Sequence, residues 1–137
     1  MKSHFNYSDQ EFERLFEKEQ LDPSLFSHEA HLRLAYIHLE KYGEKQAIRN
    51  LTEQIWLYAE GLGVFDKYNE TVTVASIKAV KHFMKKMQGN TFKSLIEEYP
   101  QLKNNFKELI FTHYSQNIFE MQSAREKYLE PDLIPFD

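Results

Sequence analysis

Apolar and polar residues follow one another along most of this chain with the three-and-four spacing of amphipathic helices. Ser8, with Glu11 three residues on, makes the reciprocal pattern of a capping box, and Phe12, Leu15 and Phe16 then recur at helical spacing. That helix is expected to end before Asp22-Pro23, because proline disfavours helical geometry in the residue ahead of it. Residues 22–26 read as a turn. Ser27 is a suitable N-cap for a second helix and Gly43 a suitable terminator. A third helix is expected over about residues 44–60, with Ala47, Ile48, Leu51, Ile55 and Tyr58 on its apolar side and Gly61-Leu62-Gly63 stopping it.

The β-branched run Thr71-Val72-Thr73-Val74 has strand character. Thr73, Ile77, Val80, Met84 and Met87 continue it at spacings of four and three, however, and a lone strand would have no partner elsewhere in the chain. A helix over about residues 71–88, capped by Gly89-Asn90, is therefore expected. Thr91 caps a short helix ending at Tyr99, ahead of Pro100. Residues 102–114 read as helical, with Phe106, Leu109, Ile110 and His113 on one side. Ser123 with Glu126 repeats the capping-box pattern and starts a last turn or two before Pro131. The apolar tail Leu133-Ile134-Pro135-Phe136 is expected to pack on the body. The expectation is an all-α, single-domain bundle of five to seven helices.

Composition narrows the function classes. With 137 residues, 42% hydrophobic and 15% aromatic, the chain has material for a real core and is no disordered tail. Its 17 Lys and Arg against 21 Asp and Glu leave a net charge of −4, so nucleic acid is not an expected partner. No apolar run reaches the 18 or so residues of a membrane span, and no signal-peptide pattern opens the chain, so a cytoplasmic protein with no membrane partner is expected. The absence of Cys removes disulfides, thiolate nucleophiles, zinc fingers and iron–sulfur clusters. A total of 11 Phe, 8 Tyr and 1 Trp is a large supply for one small core, which makes a homodimer an expectation.

Three segments could carry chemistry. In the second helix His28, His31 and His38 fall within an arc of about 80°, beside Leu32, Ala35 and Leu39. Imidazoles on such a face could ligate a metal, act as general bases or close a packing surface with one hydrogen bond. His28-Glu29-Ala30-His31 is one residue short of the zincin signature, and Glu29 points off the histidine face. No carboxylate precedes a histidine by three positions, which removes the di-iron bundle pattern. A divalent metal on His28 and His31 would need a third ligand such as His113, His82 or Glu70. No other cofactor is evident. The second segment, Lys67-Tyr68-Asn69-Glu70-Thr71-Val72-Thr73, opens a helix, where free N–H groups favour an anion. Glu70, Thr71 and Thr73 can cap it, and Tyr68, Asn69 and Glu70 are candidate ligand contacts. In the third, Arg125 could pair with a carboxylate of the chain or of a ligand. Arg33 lies away from the histidine arc and reads as a clamp between helices.

Taken together, these segments resemble a family of small, uncharacterised bacterial helical proteins. Members carry a His-x-x-His-Leu/Val-Arg-Leu/Val-Ala-aromatic helix, a Lys-Tyr-His-x-Thr-Ile/Val-Thr segment and a C-terminal Ala-Arg-x-x-aromatic-x-x-Pro-Asp. The matching residues are His28, His31, Leu32, Arg33, Leu34, Ala35 and Tyr36, then Lys67, Tyr68, Thr71, Val72 and Thr73, and finally Ala124, Arg125, Pro131 and Asp132. Asn69 departs from the pattern, standing where many relatives have His. The resemblance implies a shared fold and no activity. The main reading is a helical protein to which the sequence assigns no activity, its three segments locking helices together. The alternative is a metal- or small-molecule-binding helical domain, enzyme or not, with a histidine-centred site between helices.

Overall fold

The computed structural model of the chain describes residues 3–136, which are all-helical, without a strand among them. They form two compact units, Met1–Tyr68 and Asn69–Asp137.

The first unit is built on α1 (Asp9–Glu17), α2 (His28–Tyr42) and α3 (Glu44–Gly61), with short 3-10 turns at His4–Asn6, Pro23–Leu25 and Phe65–Lys67. Ser8 caps α1 through the expected reciprocal pair, its Oγ accepting from the Glu11 N–H at 3.2 Å. Ser27 Oγ accepts from the Ala30 N–H at 3.1 Å and starts α2. Phe12 and Phe16 of α1, Leu32 and Ala35 of α2 and Leu51 of α3 are fully buried, each large side chain adding about 1.5–3 kcal/mol. Arg33 is buried as well, and its guanidinium is the clamp expected. It donates to Asp9 Oδ1 at 2.8 Å, to the His4 carbonyl at 2.6 Å and to the Tyr7 carbonyl at 2.8 Å, while lying over the Phe12 ring. His4 accepts from Arg33 through Nδ1 and donates from Nε2 to Glu29 at 3.0 Å.

Gly43 is both the C-cap of α2 and the N-cap of α3. Its φ of +85° is a conformation open to glycine, and nothing lies within 4 Å of where a Cβ would sit. The demand there is one of backbone geometry alone.

The second unit contains α4 (Glu70–Met84), α5 (Phe92–Glu98), α6 (Gln101–Asn104), α7 (Phe106–Phe111) and α8 (Gln122–Glu126), with a 3-10 turn at Ile118–Glu120. The β-branched run is helical, as its longer spacing required. Val74, Ile77, Val80, Leu95, Leu102, Ile110 and Ile118 form the buried interior.

α1 ends at Glu17, before Asp22-Pro23 as expected. Three local expectations differ from the structure. α4 stops at Met84, short of residue 88, because the Glu98 carboxylate takes the N–H groups of Gln88 and Gly89, both at 2.8 Å, and draws the chain out of the helix. A Cβ on Gly89 would meet that of Ser94 at 2.4 Å. The stretch 102–114 is two helices, because Asn105 leaves helical geometry at φ −134°, ψ 41°. Ser123 caps nothing: α8 begins one residue earlier, and Glu126 accepts from Gln122 Nε2 at 3.0 Å instead of reaching back to Ser123.

Candidate functional site

The three faces that α1, α2 and α3 turn toward one another are not wholly apolar. Glu13 and Glu17 lie one turn apart on α1, His38 and Tyr42 one turn apart on α2, and Gln46, Asn50 and Gln54 at successive turns of α3. Together they wall a cavity of about 340 Å³. A second depression of about 490 Å³, walled by Asp9, Gln10, Glu13, Ile37, Glu40 and Lys41, shares Glu13 with it.

Hydrogen bonds set the chemistry of the first cavity. Gln46 Nε2 donates to Asn50 Oδ1 at 2.7 Å, which turns the Asn50 amide nitrogen toward His38. Asn50 Nδ2 then donates to His38 Nδ1 at 3.3 Å. An imidazole that accepts at Nδ1 carries its proton at Nε2 when neutral. Burial holds His38 below the ordinary imidazole range, with Lys41 adding to the effect and Glu13 opposing it. The ring is therefore an N–H donor at Nε2. That atom is buried and has no hydrogen-bond partner, and the same holds for Gln54 Oε1. Both atoms belong to residues that line the cavity, and neither atom is itself exposed in it.

Glu13 is the buried carboxylate of the set. Burial would raise its pKa, but Lys41 Nζ at 2.8 Å and the Tyr42 hydroxyl both donate to it and hold it below the usual carboxylate range. Glu17 is exposed at the rim. No Lys or Arg is among the walls.

The residues singled out in the sequence fall elsewhere. His28 is exposed at the start of α2, and His31, one turn on, packs its ring against Phe26 at 5.8 Å. His31 Nε2 is buried without a partner, and burial, then the nearby His28, lowers its pKa to about 4. Neither histidine borders the cavity of His38. Tyr68 closes the 3-10 turn at Phe65–Lys67.

In the second unit Asn69 is the N-cap of α4. Its Oδ1 accepts from the Val72 N–H at 2.9 Å and its Nδ2 donates to the Ile118 carbonyl at 2.8 Å. The cap is thus one residue ahead of the expected Glu70, Thr71 and Thr73. Glu70 is the first residue of α4. Thr71 is fully buried, donating to the Lys127 carbonyl at 2.8 Å and accepting from the Leu129 N–H at 3.1 Å. Arg125 lies half-buried in α8. His113 donates from Nδ1 to the Ile134 carbonyl at 2.6 Å and stacks on Phe136, while Leu133 and Ile134 stay exposed. Half of the apolar tail is therefore fastened rather than buried. Among the described residues, no three His, Asp or Glu side chains gather in a group that could hold a metal ion, and no helix is long and apolar enough to cross a membrane.

The sequence reading grouped His38 with His28 and His31 on one face of α2, of which only His38 borders the cavity, and it did not single out Glu13, Glu17, Tyr42, Gln46, Asn50 and Gln54, which line the cavity with it. The signal was present as three polar rows of four-residue spacing. No family model matches the chain, and no curated protein or solved structure does.

Proposed function

We propose that this chain is a small-molecule-binding helical protein whose site is the cavity of α1, α2 and α3, centred on His38. The observation that carries this reading is a cavity between α1, α2 and α3 walled by polar side chains alone, with His38 buried in its wall. A volume of about 340 Å³ falls within the roughly 300–1,000 Å³ of small-molecule sites, which are found between helices of bundles. The resemblance to small bacterial helical proteins supplies a shared fold and no activity, so the reading rests on the cavity.

The test is a titration of isotope-labelled protein with a panel of neutral, cationic and anionic fragments. Saturable shifts are expected at the side-chain amides of Asn50 and Gln54 and at the His38 ring. Their absence with every fragment overturns the reading.

A further inference from the structure

Residues 127–129 and residues 132–136 are both held to the second unit, but by different kinds of contact. Between Lys127 and Leu129 the anchor is the fully buried Thr71 hydroxyl, which donates to the Lys127 carbonyl and accepts from the Leu129 N–H. The Leu129 carbonyl accepts from the hydroxyl of the buried Tyr114 at 2.7 Å. Beyond Pro131 the contacts move to the surface. The Asp132 carboxylate accepts from the Ser115 N–H at 2.9 Å and from the Ser115 hydroxyl. The Leu133 N–H donates to the His113 carbonyl at 3.0 Å, and His113 Nδ1 donates to the Ile134 carbonyl at 2.6 Å. Phe136 lays its ring on His113 at 4.1 Å, with the Tyr114 ring at 6.2 Å. Ser115 and Asp132 are exposed, and Leu133 and Ile134 remain 54% and 55% exposed with the segment in place.

A hydrogen bond open to water is exchanged for one to water at little net cost, whereas breaking a buried one strands its partner. Apolar side chains that stay in water add little to the hold. Freeing residues 132–136 therefore gives up surface bonds and the ring contacts of Phe136, while freeing 127–129 would strand the Thr71 hydroxyl. The boundary between the two falls at Pro131, which has no N–H to bond to the body. We propose that residues 132–136 are a strap that opens as a unit at Pro131 while the rest of the second unit stays folded, with the Ser115–Asp132 pair as its clasp. Opening uncovers the rings of His113 and Tyr114 and frees Leu133, Ile134 and Phe136 as a short apolar tail. The strap lies in the second unit and stands independently of the cavity of α1, α2 and α3.

Native-state hydrogen exchange, followed by NMR at urea concentrations below the unfolding transition, tests this. The Ser115 and Leu133 N–H groups report on the strap, the Leu129 N–H on the anchor and the Val80 N–H on the buried interior. Ser115 and Leu133 are expected to exchange about 100-fold or more faster than Val80, at a rate that urea barely changes, because the opening exposes little surface. Leu129 should instead follow Val80. Thr71→Val weakens the anchor equally with the strap open or closed, so it should speed Val80 and leave Leu133 unchanged. Asp132→Ala removes the acceptor of both Ser115 donors and should speed Leu133 by about tenfold. Ser115→Ala keeps the N–H donor and should speed it by less. The proposal is overturned if Leu133 shares the urea dependence of Val80, if Leu129 opens together with Leu133, or if Leu133 exchanges as fast as in an unfolded chain. Leu133 speeding along with Val80 in Thr71→Val, or staying unchanged in Asp132→Ala, overturns it as well.

Discussion

The cavity face of the first unit and the start of α4 in the second are both polar surfaces set into helical packing, and they use their polar atoms in opposite ways. At α4 the Thr71 hydroxyl both donates and accepts, reaching the backbone at Lys127 and Leu129. Both ends of the Asn69 amide are engaged, and Thr73 and Ser76 return their hydroxyls to carbonyls one turn back. Between α1, α2 and α3 a relay from Gln46 through Asn50 ends at His38, and it leaves Nε2 and the neighbouring Gln54 Oε1 unspent. Saturated polar groups fasten a fold, because removing one partner strands the other in a low-dielectric interior. Unpartnered ones cost stability without fastening anything. Polar residues at helical spacing therefore say little until each atom's partner is known.

The strongest challenge to this contrast is Thr71→Val, which keeps the shape and removes the hydroxyl. It strands the Lys127 carbonyl and the Leu129 N–H and should cost about 3 kcal/mol in urea unfolding. A cost under about 0.5 kcal/mol would mean that those backbone groups find other partners and that the fastening is not real.

Acid offers the next largest effect, through His31. Its folded pKa of about 4 lies below the ordinary 6.5 because burial disfavours the charged ring. The sign follows: the fold has its full stability above pH 6.5, and loses it as pH falls from 6.5 toward 4, since the unfolded chain takes up the proton first. The loss should be on the order of 2–3 kcal/mol. His31→Phe keeps a ring beside Phe26 and should flatten the urea midpoint over that pH window. An unchanged slope would place the acid sensitivity elsewhere.

Asn69 separates capping from fastening within one side chain. Asn69→Ala loses both and should cost about 2 kcal/mol, whereas Asn69→Asp keeps the acceptor for Val72, loses the donor to Ile118 and should cost about half as much. Equal costs for the two variants would assign the whole effect to the donor. The smallest difference is expected between two serines of the same sequence pattern. Ser8→Ala should cost about 1 kcal/mol and Ser123→Ala under about 0.5 kcal/mol, read by thermal unfolding, because only Ser8 accepts from the helix it precedes.

Those serines also mark how far the sequence could be read. Ser8, Ser27 and Thr91 announced their helices correctly because a cap is a local event, decided within four residues. The Ser123 pattern failed because Gln122 competes for the same glutamate, which the pattern does not include. The end of α4 was hidden for a similar reason, since the Glu98 carboxylate that stops it lies ten residues beyond the Gln88 N–H it takes. At the site, helical phase put His38 on an inward face, and it put Arg33 on another, where it clamps. Phase could not tell which imidazole would border a cavity, because that depends on what α1 and α3 bring opposite it. Asn69 was visible as an odd residue in its segment, but its use as cap and clasp depends on Ile118, 49 residues on.

One residue joins α2 to α3, and Gly43 ends the first as it starts the second. Such a link has no slack. Adding or deleting a residue there would turn α3 by about 100° about its own axis relative to α2 and carry Gln46, Asn50 and Gln54 off the cavity together. The walls can exchange one side chain for another and remain walls, but they cannot absorb a change in chain length at this point. The cavity is therefore intolerant of insertion at Gly43, and its phase is set by the spacing between His38 and Asn50.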